Sequence, residues 1–154
     1  VMQDQFEDTR QAKLSDIGGI LELIAPLEQD EVLVRRSRER LEIEIDHFTV
    51  VERDGMIVAC AALYPFITEK VSELACLAVH PEYRNQGRGD ALLKFIERQS
   101  RQLGIQQLFV LTTRTAHWFR ERGFKAGKLE KLPVKRRELY NYQRNSKVFI
   151  KDIS

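Results

Sequence analysis

No apolar run in the chain approaches the roughly 18 residues that a membrane-spanning helix requires, and no segment has a signal-peptide pattern. A membrane or secreted protein has no support, and a cytoplasmic one is expected. Cysteine is scarce: Cys60 and Cys76 both lie in apolar, strand-like runs, which suits buried reduced thiols rather than a disulfide framework. The three histidines have no ligand spacing, so no metal site is expected. Charge of one sign is lacking too. With 25 Lys and Arg against 23 Asp and Glu, the formal charge of +2 is too small to argue for nucleic acid. The basic tail (Lys131, Lys135, Arg136, Arg137, Arg144, Lys147 and Lys151) comes with no helix-turn-helix pattern or stacking aromatics, so a solvated charged face is the expected reading. What remains is 154 residues, 43% hydrophobic, which is enough for one domain with a buried core.

Apolar spacing divides the chain into strands and helices. Residues 6–13 alternate weakly and read as an edge strand. Ser15 has the side chain of an N-cap, and Ile17, Ile20, Leu21 and Ile24 fall on one face of a helix reaching about Leu27. Residues 37–45 read as a second helix, with Leu41 and Ile45 four apart. Asp54-Gly55 is a hairpin signal between strands at 47–52 and 56–64. A strand at 71–79, a helix at 90–103 closed by Gly104, a strand at 107–112 and a short helix at 115–122 ended by Gly123 follow. Residues 142–150 alternate as a last strand. No repeat, low-complexity stretch or linker interrupts this mixed α/β order.

The most informative stretch is L-A-V-H-P-E-Y-R-N-Q-G-R-G-D-A-L-L, residues 77–93. An apolar run stops at His80-Pro81, a loop carries Arg84, Gly87 and Gly89, and a helix opens at Asp90. Strand, glycine loop and helix start together form a cradle of backbone N–H groups at the positive end of a helix dipole. That is an anion site, and a pyrophosphate fits it. A side chain at either glycine would keep phosphate oxygens from the backbone. No Gly-Lys-Ser/Thr is present, which excludes a Walker loop, and a single mid-chain Gly-x-Gly is not a dinucleotide fingerprint.

R-x-x-G-x-G after a strand ending in His-Pro resembles the acetyl-CoA loop of the GNAT N-acetyltransferases. The resemblance implies that family's α/β (α+β) acyl-CoA N-acyltransferase fold, with a mixed central sheet and helices on both faces, and acetyl-CoA as cosubstrate. It also implies cofactor contacts at Leu77, Ala78, Val79, Arg84, Asn85, Gln86, Gly87, Arg88, Gly89 and Asp90. W-F-R-E-R-G-F, residues 118–124, resembles the short helix and Gly-Phe turn that packs beside the CoA pantetheine, which adds Trp118, Phe119 and Arg122. Many members carry, five residues before that phenylalanine, a tyrosine that protonates the leaving thiolate. Here the position is Phe119, so the proton must come from elsewhere or from solvent.

Further segments narrow the resemblance. L-V-R-R-S-R-E (33–39), E-L-A-C-L-A-V-H-P (73–81), L-F-V-L-T-T-R (108–114) and especially L-Y-N-Y-Q-R-N-S-K-V (139–148) resemble the C-terminal acetyltransferase domain of bacterial N-acetylglutamate synthases. The implied reaction is acetyl transfer from acetyl-CoA to L-glutamate, the first step of arginine biosynthesis. Members of that family also carry an amino-acid-kinase-like domain. Residues 1–154 are therefore expected to be a single domain cut from a longer chain, with any homo-oligomer formed through the missing part.

Glutamate brings two carboxylates and one amine, so its pocket needs separated cationic groups with forked donors. Arg35 or Arg36 and Arg144 can supply them, with Ser146 as a hydroxyl donor two residues along the same strand face. The family position favours Arg35 and adds Leu33 and Cys76 as substrate contacts. Glu73, in an otherwise apolar run, is the candidate base for the α-amino group, directly or through a water. Backbone N–H groups between Cys76 and Val79 would hold the oxyanion. Thr112 matches a family position that carries a hydroxyl and can relay a proton to the CoA sulfur. Competing readings are a GNAT enzyme for another amine, such as a protein N-terminus or a polyamine, and a CoA-binding module without catalysis.

Overall fold

The computed structural model describes residues 7–112, 115–128, 132–133 and 147–154. Among them are seven strands and four α-helices, gathered in two compact units. The first unit is drawn from Val1–Leu63 and Cys76–Ile96, the second from Tyr64–Ala75 and Glu97–Ser154.

The first unit begins with β1 (Glu7–Gln11), α1 (Ile17–Gln29) and α2 (Arg38–Glu44). It continues with β2 (Phe48–Arg53), most of β3 (Met56–Phe66), the second half of β4 (Val71–Val79) and the start of α3 (Arg88–Gln102). Its strands lie in the order β1-β2-β3-β4. β1 pairs antiparallel with β2 from Glu7↔Arg53 to Gln11↔Thr49, as an edge strand should. The β2–β3 hairpin turns at Asp54 (φ 51°) and Gly55 (φ 82°), the paired left-handed residues that Asp-Gly favours. Every residue of β3 from Ile57 to Leu63 is buried, so this strand is covered on both faces.

Local chemistry at the start of α1 differs from the expectation. Ser15 is exposed and does not cap the helix; it sits in a one-turn 3-10 segment, Leu14–Asp16, and Asp16 precedes the first helical residue. The Asp16 carboxylate accepts the Lys13 backbone N–H at 2.7 Å and two Arg10 guanidinium bonds at 2.8 and 2.9 Å. Arg10 also reaches Glu52 of β2 at 2.8 Å. On α1 itself Leu23, not Leu21, joins Ile17, Ile20 and Ile24 in the core. Ser37 does cap α2, accepting the Arg40 N–H at 3.1 Å.

The second unit contains the first half of β4, the end of α3, β5 (Gln107–Thr112), α4 (Ala116–Glu121), β6 (Lys125–Gly127) and β7 (Lys147–Asp152). Its strand order is β4-β5-β7-β6. β4 and β5 are parallel, registered from Val71↔Gln107 to Glu73↔Phe109. β5 and β7 are antiparallel along six pairs, ending at Thr112↔Lys147. Phe109, Leu132 and Val148 form a core here, with Phe66, Val71, Leu111 and Ile150 packed on it. Lys151 and Arg101 tie α3 to the end of β7, through Glu97 at 2.6 Å and the Ile153 carbonyl at 2.7 Å. β6 had no sequence signal, being three residues long. Residues 142–146 of the expected last strand lie outside the described residues.

The Arg10 guanidinium beside Asp16, with the Lys13 N–H, holds that carboxyl below the usual carboxylate range. A lowered folded-state pKa contributes stability above the unfolded value of about 3.9, which is lost as pH falls through the folded value. Asp16→Asn is therefore expected to cost roughly 1–3 kcal/mol at pH 7, and the deficit should shrink as pH drops below about 4. Urea unfolding of both proteins at pH 7 and pH 3 checks this; a pH-independent deficit would mean lost packing rather than a lost ion pair.

Candidate functional site

In the first unit, β4 ends at Val79 and the next backbone N–H, that of His80, donates to Val58 O at 2.8 Å. The His80 ring nitrogen Nδ1 accepts the Glu82 N–H at 3.1 Å and caps a single 3-10 turn, Pro81–Tyr83. The chain then extends at Arg84, turns left-handed at Asn85 (φ 63°) and again at Gly87 (φ 81°), and enters α3 at Arg88. The helix thus starts two residues earlier than Asp90, and Gly87 and Gly89 flank its first residue. First-turn N–H groups have no acceptor within their own helix. A Cβ placed on Gly87 would meet nothing within 4 Å, so the loop has open space on that side.

The loop's side chains are less free than its backbone. Arg84 is exposed and folds back, donating Nε–H to Val79 O at 3.2 Å. Arg88 is buried. Its guanidinium donates to Glu7 Oε1 and Gln86 Oε1, both at 2.6 Å, and lies 5.0 Å from the Tyr83 ring centroid. Asn85, Gln86 and Gly87 are exposed, while Gly89 and Asp90 are half-buried.

On β4, Leu77 and Val79 are half-buried and Ala78 is buried. Cys76 carries a feature that no sequence pattern announced: φ 55° inside a strand. A non-glycine left-handed residue costs about 1–2 kcal/mol, so surrounding structure must impose it. Cys60 Sγ donates to Cys76 O at 3.5 Å. The side-chain hydrogen bond with Cys76, then burial, pushes the Cys60 thiol up; the same hydrogen bond lowers Cys76, and the positive charge of Arg36 acts in that direction on both. Arg36 is half-buried, with its backbone N–H on Glu28 Oε2 at 2.8 Å, whereas Arg35 is exposed. Leu33 is half-buried and donates its N–H to Leu27 O.

In the second unit, Glu73 is 8% exposed and sits in register with Phe109, a carboxylate within an apolar strand. Thr112 is buried at the end of β5. Its hydroxyl lies 2.6 Å from the Thr115 hydroxyl and accepts the Thr115 N–H at 3.1 Å, so it organises the turn into α4. Arg122 stacks 3.9 Å from the Trp118 centroid and donates to Trp118 O at 2.9 Å. Arg144 and Ser146, the expected carboxylate ligands of the C-terminal segment, lie outside the described residues. Among the described residues no group of three His, Cys, Asp or Glu could hold a metal ion, and no helix is long and apolar enough to cross a membrane.

A family model for the acetyltransferase (GNAT) domain matches residues 44–126, from the end of α2 to β6. The chain belongs to the GNAT acetyltransferase family. Over 98% of its length this acetyltransferase domain is 64% identical to an amino-acid acetyltransferase of Pseudomonas putida (strain GB-1), of which it covers 35%. One from Yersinia enterocolitica is 56% identical over 99% of the chain, again with 35% of the relative covered. The domain thus spans about a third of the length of the curated relatives it matches. Its structure matches the N-acetylglutamate synthase of Neisseria gonorrhoeae complexed with coenzyme A and N-acetylglutamate, with a TM-score of 0.92 and 42% identity. That match covers 97% of this chain and 35% of the other. An 18% identical GNAT acetyltransferase from Staphylococcus aureus, at a TM-score of 0.79, shows the fold alone.

Phe119 of the acetyltransferase domain is a core residue. It is 6% exposed, with edge-on contacts to Trp118 (5.0 Å) and Phe124 (5.2 Å). Phe119→Tyr would bury a hydroxyl among aromatic rings, where an unpaired polar group costs roughly 1–3 kcal/mol. A lowered thermal midpoint is the expected outcome. An unchanged or raised midpoint would show that a hydrogen-bond partner is within reach and that a tyrosine could act there.

Proposed function

We propose that this domain transfers the acetyl group of acetyl-CoA to the α-amino group of L-glutamate, releasing CoA and N-acetyl-L-glutamate, as a cytoplasmic enzyme of arginine biosynthesis. The observation that carries the reading is the 64% identity to an amino-acid acetyltransferase across nearly the whole chain. The match to a synthase that holds coenzyme A and N-acetylglutamate supports the choice of acceptor. Because the relatives are about three times longer, an amino-acid-kinase-like domain outside these residues, in a longer polypeptide, belongs to the same proposal.

The loop Arg84–Gly89 takes the CoA pyrophosphate on backbone N–H groups, and Trp118 flanks the pantetheine. Arg35, Arg144 and Ser146 hold the two carboxylates of glutamate. Glu73, directly or through a water, removes a proton from the α-ammonium. The freed amine attacks the thioester carbonyl, and the oxyanion is held by backbone N–H groups of Cys76–Val79. Collapse of the tetrahedral intermediate breaks the C–S bond, and the nitrogen gives up its second proton to solvent to leave the neutral amide. The CoA thiolate takes a proton from solvent or by way of the Thr112 and Thr115 hydroxyls, which lie 2.6 Å apart.

Thiol release from acetyl-CoA, measured across the amino acids and a few amines, tests the acceptor. Glutamate should be turned over fastest; faster turnover of a polyamine, or none of glutamate, overturns the reading. Glu73→Gln should lower kcat by roughly 10²–10⁴-fold, less at high pH where the amine is already neutral. A near-wild-type, flat pH profile of that variant would remove Glu73 from the chemistry.

The loop has its own control within the chain. Gly87 and Gly104, at opposite ends of α3, have φ of 81° and 80°, and an added Cβ meets nothing at either. Gly87→Ala and Gly104→Ala should therefore each cost about 1 kcal/mol of stability through the backbone alone. Only Gly87→Ala should weaken CoA binding in a calorimetric titration. Equal CoA affinity in the two variants would move the pyrophosphate away from Gly87.

A further inference from the structure

Arg88 is the anomaly of the loop. Its neighbours Arg84 to Gly87 are exposed, yet its side chain is only 8% exposed. Removing a guanidinium from water costs several kcal/mol unless partners replace the water. Both terminal nitrogens have partners, Glu7 Oε1 at 2.6 Å, Gln86 Oε1 at 2.6 Å and the Tyr83 carbonyl at 3.4 Å, and the Tyr83 ring lies at 5.0 Å; the buried Nε has none among the described residues. Glu7 lies 81 residues earlier, at the start of the edge strand β1. Its carboxylate also takes Arg53 at 3.2 Å, its register partner on β2, and Arg53 lies 5.9 Å from the same Tyr83 ring.

Through its own side chain Arg88 joins residues 83, 86 and 88 of the loop, and Glu7 ties that side chain to the strand pair. Between those points are the two left-handed residues, Asn85 and Gly87, whose backbone has many other conformations open to it. An anion that needs several N–H groups aimed together binds only the fraction of molecules already so arranged, and its affinity falls by that fraction.

We propose that Arg88 is a positioning residue for the pyrophosphate loop. Its guanidinium, anchored by Glu7, keeps Asn85–Gly87 in the conformation that presents the backbone to the ligand, and it makes no phosphate contact of its own. The proposal rests on the reading that this loop binds CoA. It differs from the sequence expectation, in which Arg88 is a cofactor ligand.

Calorimetric titration with CoA, which cannot react, tests it on wild type, Glu7→Gln, Arg88→Met and the double variant. If Arg88 braces the loop, each single variant weakens CoA binding by roughly tenfold, and the double variant is no weaker than either, because both break one unit. For Glu7→Gln, which lies outside the loop, the KM for glutamate and kcat at saturating acetyl-CoA should stay within about twofold of wild type, a split that a general loss of structure would not leave. Weakening by Arg88→Met with unchanged or tighter binding by Glu7→Gln would make Arg88 a direct phosphate ligand and overturn the proposal. Wild-type affinity in all variants would reduce the ion pair to a surface contact and overturn it equally. Glu7→Gln is a mild change at a partly exposed site, so the test stands even if Arg88→Met fails to fold. Absence of CoA binding by the wild type would remove the proposed function itself, and the brace with it.

Discussion

A strand inside a sheet satisfies its backbone through its ladder, so a residue that leaves the β region there must be forced to do so. In β4 that residue is Cys76. Its left-handed backbone is held by a buried side chain and by the Cys60 thiol bonded to its carbonyl. Before it in the strand, Ser72, Glu73 and Leu74 are buried in succession, which no alternating strand would produce. After it come Leu77 to Val79 and the loop. Strain of this kind persists only where surrounding packing over-determines it.

Charge does the corresponding work at the edge of the first unit. β1 is short and has only β2 beside it. Two ion-pair clusters hold it: Arg10 with Asp16 and Glu52, and Glu7 with Arg53 and Arg88. The first fixes the turn into α1 and the second reaches the anion loop. Isolated surface ion pairs contribute little, but here Asp16 and Arg88 are both less than 9% exposed, so losing a partner would strand a desolvated charge. The Glu7–Arg88 pair thus joins the edge strand to the loop, although 81 residues separate the two.

Elements whose signals are local were readable before any coordinates. β4 and β5 begin and end at the residues that their apolar runs mark, and Asp54-Gly55 makes the hairpin because those two residues tolerate left-handed backbone. Ser37 caps α2. The loop at 84–89 was legible because glycine spacing, a preceding strand and a following helix all lie within twenty residues. Ser15 misled because Asp16, the next residue, takes the Arg10 guanidinium of β1, which a neutral hydroxyl could not hold as strongly. Three-residue β6 was invisible because its partner, β7, lies more than twenty residues later.

By itself the sequence determined most of the order of strands and helices, the glycine-bearing loop between β4 and α3 and membership of the acetyltransferase family, since each rests on spacing within a short window. Only the tertiary structure decided which charged side chains of that window are occupied. The resemblance to the acetyltransferase loop makes Arg88 a cofactor contact. In the structure its guanidinium pairs with Glu7, a carboxylate that strand pairing brings to it. The left-handed turn at Cys76 and the inward place of Phe119 have the same origin. Backbone strain and burial are set by what packs against a residue, and no local pattern carries that information.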